Sequence, residues 1–265
     1  MKKTTSKKLK NSTLMALFFI LVFVAIVVSI IVKVVLLITH STFDNHHQFI
    51  LEVKQPTNEE QIISFNPGSN EVAILHVKGI KNPQDMQTLQ IPIDAKFTLS
   101  DQMSVKGLPQ MLFTMIFHCE YPTCQNLNSV DALKLYMFAK HIRQNAIQTT
   151  DITLPPSQTD LKTTIPALFI DDTFYHEALS ISVINASGEV GLGNEVSQLL
   201  TNIGGNILSV TSGDTQEATT MQSPFGQDTY SIQRLQKILH IQSQKMQKSG
   251  ISDIIITIGR KHPQL

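Results

Sequence analysis

The most restrictive feature of the sequence is an uncharged apolar run of 19 residues at positions 14–32. As a helix, a run of this length spans the roughly 30 Å hydrocarbon core of a bilayer and satisfies its own backbone groups where water is absent. After Lys33 the apolar pattern continues to Ile38. A cleaved signal peptide is the alternative, but it needs a shorter apolar region and a cleavage site of small residues, and neither is evident before Thr42. The sequence therefore predicts a retained transmembrane anchor over residues 14–38.

The charges beside this run predict its orientation. No acidic residue precedes it, whereas five lysines do: Lys2, Lys3, Lys7, Lys8 and Lys10. Under the positive-inside rule, residues 1–13 form a basic tail that stays in the cytoplasm. We therefore predict a single-pass protein of the cell membrane whose C-terminal domains are extracytoplasmic, with the lipid bilayer as its first partner.

The chain as a whole has a balanced charge, with 21 basic and 21 acidic residues. No cluster of basic residues lies beyond the anchor, so no nucleic-acid partner is expected. With 42% apolar residues, the exterior part is long enough for one or two domains that each have a core.

Residues 178–261 show the clearest succession of strand and helix patterns. Apolar alternation up to Asn185 predicts a strand, and a glycine-rich turn then leads to a helix with an apolar face at Val196, Leu199, Leu200 and Ile203. Three further patterns follow: strands at residues 206–210 and 219–222, an amphipathic helix after Tyr230, and an isoleucine-rich strand at residues 252–258. This β-α-β-β-α-β order predicts a two-layer α+β domain with its helices on one face of the sheet.

The residues of this segment resemble the C-terminal domain that follows the catalytic domain in LytR-CpsA-Psr proteins of bacterial cell envelopes. The order of Asn185, Gly188, Gly191 and Leu192 matches that family's opening Asn-Gly-Thr-Gly-x-x-Gly-Leu, with Ala186 where the family more often has glycine. The resemblance implies a cell-envelope location but no assigned binding residues. Amides at a helix N-terminus can hold an anionic group, so the turn supplies the candidate ligand contacts Asn185, Ser187, Gly188, Gly191 and Asn194.

Residues 45–155 predict a second α+β region. Alternating apolar segments between residues 48 and 79 are separated by turn residues at 56–58 and 66–70, which is typical of an antiparallel sheet. Residues 109–117 and 130–143 have helical patterns, and Asn128 with Asp131 predicts an N-terminal cap for the second. ISFNPGSNEVAILHVKGI and NLNSVDALKLYMFAKHIRQNAIQTTDITLP in this region resemble parts of a shortened LytR-CpsA-Psr catalytic domain. The predicted fold is therefore α+β: a transmembrane helix, this region and the C-terminal two-layer domain.

The resemblance implies a phosphotransferase motif that this chain does not keep. Family members that transfer anionic glycopolymers have a strand ending in Leu-Ser-Ile-Pro-Arg-Asp, whose Arg and Asp handle a pyrophosphate and its metal. One register places Gly79 and Ile80 at those two positions, and a second places Ile93 at the Arg and keeps Asp94. Phosphoryl transfer depends on arginine and on carboxylate-bound Mg²⁺ to neutralise phosphate charge. We therefore predict no catalytic residue, no metal and no cofactor.

The alternative to a non-catalytic protein is a divergent glycopolymer phosphotransferase that attaches lipid-linked glycans to the wall. It would work through Lys78, Asp94 or His118. The leading prediction is a membrane-anchored bacterial cell-envelope protein that acts as a binding or scaffolding module. Its expected partners are peptidoglycan or wall glycopolymer, an envelope protein, or a second copy paired through an open sheet edge.

Cys119 and Cys124 lie close together in HCEYPTC. An extracytoplasmic location favours a disulfide between them, while zinc binding with His118 is the alternative, although it lacks a fourth ligand and a known spacing. Residues 156–177 are predicted to be a linker, because prolines there break any helix. The pairs Asp171-Asp172 and His46-His47 are both interpreted as solvated residues.

Overall fold

A computed structural model of the chain describes residues 6–55, 59–99, 107–157, 159–225, 229–245 and 250–262. The chain forms two units, Met1–Ser41 and Thr42–Leu265. The first contains one helix, α1 (Ser6–Thr39), whose segment Leu14–Thr39 is long and apolar enough to cross a membrane. An apolar N-terminal helix is thus confirmed. Of the predicted basic tail, residues 1–5 lie outside the described residues and the backbone of residues 6–13 belongs to α1.

The second unit contains two mixed β-sheets. The strands of the first sheet are β1 (Phe49–Lys54), β2 (Glu60–Asn66), β3 (Glu71–Lys78), β4 (Ala95–Thr98), β5 (Cys124–Gln125) and β6 (Ile147–Thr153), in the order β5-β4-β1-β2-β3-β6. β1, β2 and β3 pair antiparallel as predicted, whereas β4 and β6 join them in parallel pairs. The predicted turn at residues 56–58 lies outside the described residues.

Both faces of the first sheet are buried, because alternate residues of its central strands enter different cores. Leu51 of β1 packs in one core with α2 (Leu108–His118) and α3 (Ser129–His141), while Ile50 packs in the other with Ile165 and Phe169. The predicted cap of α3 is present: the Asn128 side chain accepts from the amides of Val130 and Asp131, and the Asp131 carboxylate accepts from the Asn128 amide.

The second sheet belongs to the C-terminal part of the chain. Its elements are β7 (Ser180–Asn185), α6 (Leu192–Asn202), β8 (Asn206–Ser212), β9 (Thr220–Ser223), α7 (Tyr230–Leu239), β10 (Ser243–Lys245) and β11 (Ile254–Ile258), with strand order β10-β9-β11-β7-β8. All six predicted elements are present. The strand β10 was not predicted, because Ser-Gln-Lys at a sheet edge has no apolar period to reveal it.

The segment predicted as a helix-free linker is helical. It contains a π-helical turn (Asp160–Thr164), α4 (Ile165–Phe169) and α5 (Asp172–Glu177). The expectation that Pro166 breaks any helix is wrong. Thr164 and Ile165 before it are already helical, and the π-helical turn changes the hydrogen-bond pattern just before the position where the proline lacks its amide hydrogen. Ile165, Phe169 and Phe174 are buried, so this segment contributes to the cores.

Candidate functional site

The turn over residues 185–194 uses most of its polar groups internally. The Asn185 side chain accepts hydrogen bonds from the Ser187 hydroxyl (2.6 Å) and amide (3.2 Å), and donates to the Glu189 carbonyl (2.7 Å). The Ser187 hydroxyl in turn accepts from the Glu189 amide (3.0 Å). The side chains of Asn185 and Ser187 therefore close the turn itself.

The other predicted contacts in this turn have different roles. Gly188 and Gly191 have φ of 86° and 96°, which disfavours any residue with a Cβ. Asn194 is exposed in the first turn of α6, with its amide bonded to the Gly191 carbonyl (2.9 Å). Ala186 does not have a positive φ, so the missing family glycine is not needed for the turn. Asn194 thus has the most accessible polar side chain of the five predicted residues.

Charges around the turn are paired with one another. β7 pairs in parallel with both β8 and β11, so the turn lies at the same edge as the segment that follows β11. In that segment His262 lies 3.6 Å from the Glu189 carboxylate, and Arg260 lies 3.2 Å from that of Glu217. Because Arg260 and His262 already have carboxylate partners, an anionic ligand would have to displace one of these carboxylates to bind either side chain.

A second group of polar residues is buried where the two sheets' domains meet. Arg234 on α7 is fully buried, and its guanidinium donates two hydrogen bonds, of 2.8 and 3.2 Å, to the carboxylate of Asp94. One Asp94 oxygen also accepts from the Ile50 amide (2.8 Å). Although burial favours the neutral form, Asp94 and Asp171 keep the pKa of Arg234 above its usual range. This bidentate pair fixes the C-terminal domain to the first sheet.

Asp171 completes this group, which we call the Arg234 cluster (Asp94, Asp171, Tyr230 and Arg234). Its carboxylate is fully buried, lies 3.6 Å from Arg234 Nε, and accepts from the Tyr230 hydroxyl (2.6 Å) and the Phe174 amide (3.2 Å). Burial raises the pKa of Asp171, with partial compensation from Arg234 and these bonds. Burial and the adjacent carboxylate raise the pKa of Tyr230, so Tyr230 remains a donor. The interpretation of Asp171 as solvated is wrong, because this cluster encloses it.

The cluster extends to the start of the second unit. His47 stacks on Tyr230 with ring centroids 4.5 Å apart, and its Nδ1 lies 2.7 Å from the Asp44 carboxylate, which Lys237 also contacts. Burial opposes ionisation of Asp44, but the bonds from His47 and Lys237 outweigh it and hold the Asp44 pKa well below its usual range. His46 is exposed as predicted, whereas the interpretation of His47 as solvated is wrong.

Sequence reasoning did not identify Tyr230, Arg234 and Lys237 as a group. Their only signal is the i, i+4, i+7 spacing, which places three donors on one side of α7, beside the predicted apolar face. Their acceptors come from distant parts of the sequence, with Asp94 lying 140 positions before Arg234. No pattern within the helix identifies those partners.

An open groove of about 230 Å³ lies beside β3, β6 and α4. Its polar lining comes from separated segments: Ser64, Asn66, Glu71, Gln148 and Asp172. Asn66 donates to the Asp172 carboxylate (3.3 Å) and to the Ile170 carbonyl (3.2 Å). Among the described residues, neither Glu71 nor Asp172 has a basic partner within 4 Å. The groove therefore offers carboxylates and amides to a ligand, a combination suited to hydroxyl or ammonium groups.

The residues considered for metal binding or catalysis do not converge. Cys119 and Cys124 form a disulfide, so neither sulfur is available to zinc, and His118 bonds the Thr114 carbonyl through Nδ1 (3.0 Å). Within the described ranges, no group of three His, Cys, Asp or Glu side chains is arranged to hold a metal ion.

Lys78 and Asp94 lie at opposite ends of the strands. Asp94 bonds Ile50, and strand pairing leads from Ile50 through Ser64 to Ala73. Lys78 is five residues further along β3, a separation of about 16 Å before the offset between strands is added. Lys78 instead pairs with Asp151 at the surface (2.8 Å). One catalytic site cannot use both residues.

At the two positions where the predicted registers place the arginine, Gly79 and Ile93 each have a role in the fold. Gly79 has φ of 81°, and a Cβ there would approach the Leu154 carbonyl oxygen to 3.2 Å. Ile93 packs against the buried core that contains Ile165. Both positions therefore serve the fold in this chain.

Comparison with known families agrees with this division of the chain. Residues 178–262 match LytR_C, the family described as LytR cell envelope-related transcriptional attenuator. The match covers about a third of the 265 residues and begins after the first sheet, so the resemblance inferred for residues 45–155 stays a prediction. No curated protein and no solved structure matches the chain. The C-terminal domain therefore indicates a cell-envelope-associated function.

Proposed function

We propose that this chain is a non-catalytic binding protein of the cell envelope, held in the membrane by residues 14–38 with its N-terminus in the cytoplasm. The LytR_C domain and the apolar helix α1 support an envelope location. The five lysines before the span support the orientation. Residues 42–265 then act outside the cytoplasm as a single compact binding unit.

The observation that carries the proposal is the hydrogen bonding of the Asp94 carboxylate. In the register that keeps the family's aspartate, both oxygens of this carboxylate already accept protein hydrogen bonds, from the Arg234 guanidinium and the Ile50 amide. A carboxylate that binds Mg²⁺ for phosphoryl transfer must offer an oxygen to the ion. Asp94 instead has a structural role, which favours binding over catalysis.

The groove beside α4 is the ligand site that this proposal favours. Glu71 and Asp172, which have no basic partner within 4 Å among the described residues, repel a polyanionic wall polymer, whereas the carboxylates and amides of the groove can bind the hydroxyls and amines of peptidoglycan. At about 230 Å³ it accommodates a small unit, such as a single sugar ring, rather than a long segment. The 185–194 turn, with Asn194 exposed, is the second candidate contact.

The test is binding of the purified full-length chain, in detergent, to wall sacculi that either retain or lack their anionic polymers. We expect binding to both preparations, and a loss of at least about tenfold in Glu71→Gln, which is the effect of removing one charge-assisted hydrogen bond. Glu217→Gln is the matched control, because it removes one carboxylate from the surface away from the groove. Asn194→Ala tests the turn in the same assay.

Three results would contradict the proposal. The first is a full-length chain that binds neither preparation. The second is binding that depends on the anionic polymers, which would exclude the groove. The third is turnover of a lipid-linked pyrophosphate glycan that is lost in Asp94→Ala while Arg234→Lys retains it, which would establish the transferase alternative.

A further inference from the structure

Five large apolar side chains are exposed together on α2, α3 and the loop closed by the disulfide. We call them the aromatic patch: Phe113 (49% exposed), Phe117 (68%), Tyr121 (87%), Leu133 (44%) and Met137 (53%). The rings of Phe113 and Phe117 are 5.3 Å apart, and Phe113 lies 5.7 Å from Tyr136, between Leu133 and Met137 on α3. These ring contacts join α2 to α3 within the patch.

The patch belongs to well-packed helices and is not a frayed surface. The opposite sides of α2 and α3 bury Met111, Leu112 and Leu135 in the core beneath the first sheet. The Cys119–Cys124 disulfide closes the loop between the helices. Apolar surface that a packed fold keeps exposed and contiguous is typical of an interaction site.

The short connection between α1 and Thr42 bears on what this surface contacts. The Thr42 hydroxyl donates to the carbonyl of Asn126, two residues after Cys124, and the Phe43 amide donates to the Asp131 carboxylate at the start of α3 (both 3.0 Å). Thr42 follows Thr39, the last residue of α1, by three positions, and three residues extend over at most about 11 Å. The loop end of the helix pair is therefore tethered within reach of the bilayer surface, whatever the angle between the two units.

We propose that the aromatic patch inserts into the interface of the outer leaflet beside the anchor. Phenylalanine, leucine and methionine bury apolar area among the acyl chains, and tyrosine favours the level of the headgroups. Phe117 at the C-terminal end of α2 and Tyr121 within the loop that the disulfide closes are the members that enter first. This inference depends on the membrane anchor in the proposed function, and adds a second membrane contact that fixes the exterior unit against the bilayer.

The chain contains no tryptophan, so single substitutions supply unambiguous probes. The full-length protein is reconstituted into phosphatidylcholine vesicles with and without brominated acyl chains, which quench tryptophan on contact. We compare Phe117→Trp in the patch with two controls: Phe23→Trp in the anchor and Tyr175→Trp, an exposed aromatic position on α5. Far-UV circular dichroism checks that each variant folds, and Tyr121→Trp is the second patch probe.

We expect brominated lipid to quench Phe117→Trp and Phe23→Trp by at least half and to leave Tyr175→Trp unchanged. Quenching of Phe23→Trp without quenching of either patch probe would overturn the patch proposal and leave the anchor standing. No quenching of Phe23→Trp would overturn the anchor, and the patch proposal with it. Short-wavelength emission from Phe117→Trp that brominated lipid does not quench, and that weakens at low protein-to-lipid ratio, would assign the patch to a second copy and overturn lipid insertion.

Discussion

The 185–194 turn and the Arg234 cluster are both built from polar residues, but they differ in how those residues find their partners. In the turn, the side-chain hydrogen bonds of Asn185 and Ser187 join residues no more than four positions apart, and Gly188 is exposed. In the cluster, Arg234 and Asp171 are fully buried, and the bonds of Arg234 reach across 140 positions. The turn is a local structure, and the cluster joins two parts of the fold.

Because of this difference, the residues that match the family are not the ones that we expect to contribute most to stability. The turn carries the residues that match the LytR-type opening, yet its polar groups are largely satisfied by each other. The cluster matches no motif, yet it holds a buried cation between two carboxylates, where removing one partner leaves an uncompensated charge. We therefore expect substitutions in the cluster to change stability far more than substitutions in the turn.

The largest effect is expected for Arg234→Leu. It leaves Asp171 fully buried and Asp94 nearly so without their cation, at a cost of about 3–5 kcal/mol in the free energy of unfolding of residues 42–265. Urea unfolding followed by far-UV circular dichroism measures this change. Arg260→Leu is the control, since it breaks an exposed arginine pair in the same domain and should cost less than about 1 kcal/mol. Equal losses for both variants would mean that the cluster is not the stronger contact.

A smaller effect is expected in the turn, from Gly191→Ala. A Cβ at this position meets no atom within 4 Å, so the change isolates the backbone strain of φ at 96°, about 1–2 kcal/mol. Gly250→Ala is the control, because it also has open space around it but lacks a positive φ. The same unfolding measurement applies. A loss as large as that of Arg234→Leu would contradict the ranking of the two regions.

The smallest effect concerns the pH dependence of stability. Asp44 and Asp171 are expected to contribute to it with opposite signs. The depressed pKa of Asp44 means that its ionised form stabilises the fold above the unfolded value of about 3.9, and that this contribution is lost as pH falls below it. The raised pKa of Asp171 has the opposite sign: its cost is present at neutral pH and disappears as pH falls through the folded pKa to the unfolded value.

Urea midpoints measured between pH 3 and 7 test this assignment. Asp44→Asn should reduce the loss of stability in acid, whereas Asp171→Asn should increase it, because the relief that protonation gives is gone. The prediction concerns the slope of the urea midpoint against pH, since both variants also change the stability at neutral pH. Slopes that shift in the same direction would show that one of the two carboxylates has been assigned the wrong environment.

Much of the fold could be predicted from local pattern. The antiparallel β1-β2-β3 sheet, the Asn128 cap, the apolar helix and the six elements of the C-terminal domain all follow from periodicity and turn residues. The helices within residues 156–177 were not predicted, because Pro166 is accommodated after a π-helical turn and because Phe169 and Phe174 are buried by partners distant in sequence. The strand β10 had no signal at all.

Of the candidate sites, too, only the one that depends on neighbouring residues was predicted from the sequence. The turn was found by its glycines, whose positive φ is a property of the turn itself. The groove was not, because Asn66, Glu71, Gln148 and Asp172 come together only when β2, β3, β6 and α5 have packed. The aromatic patch was missed for the same reason, since an apolar residue on an amphipathic helix is assigned to the core until its surroundings are known.

The sequence by itself determined the features that depend on a few neighbouring residues: a helix long and apolar enough for a bilayer, the caps and turns, and a domain that matches an envelope family. Only the tertiary structure decided the partners of Asp94, Asp171 and Arg234, because a buried charge is stabilised by whichever opposite charge the fold brings within hydrogen-bond distance. Asp94 is therefore a structural residue in this fold, because its oxygens meet an arginine 140 positions away.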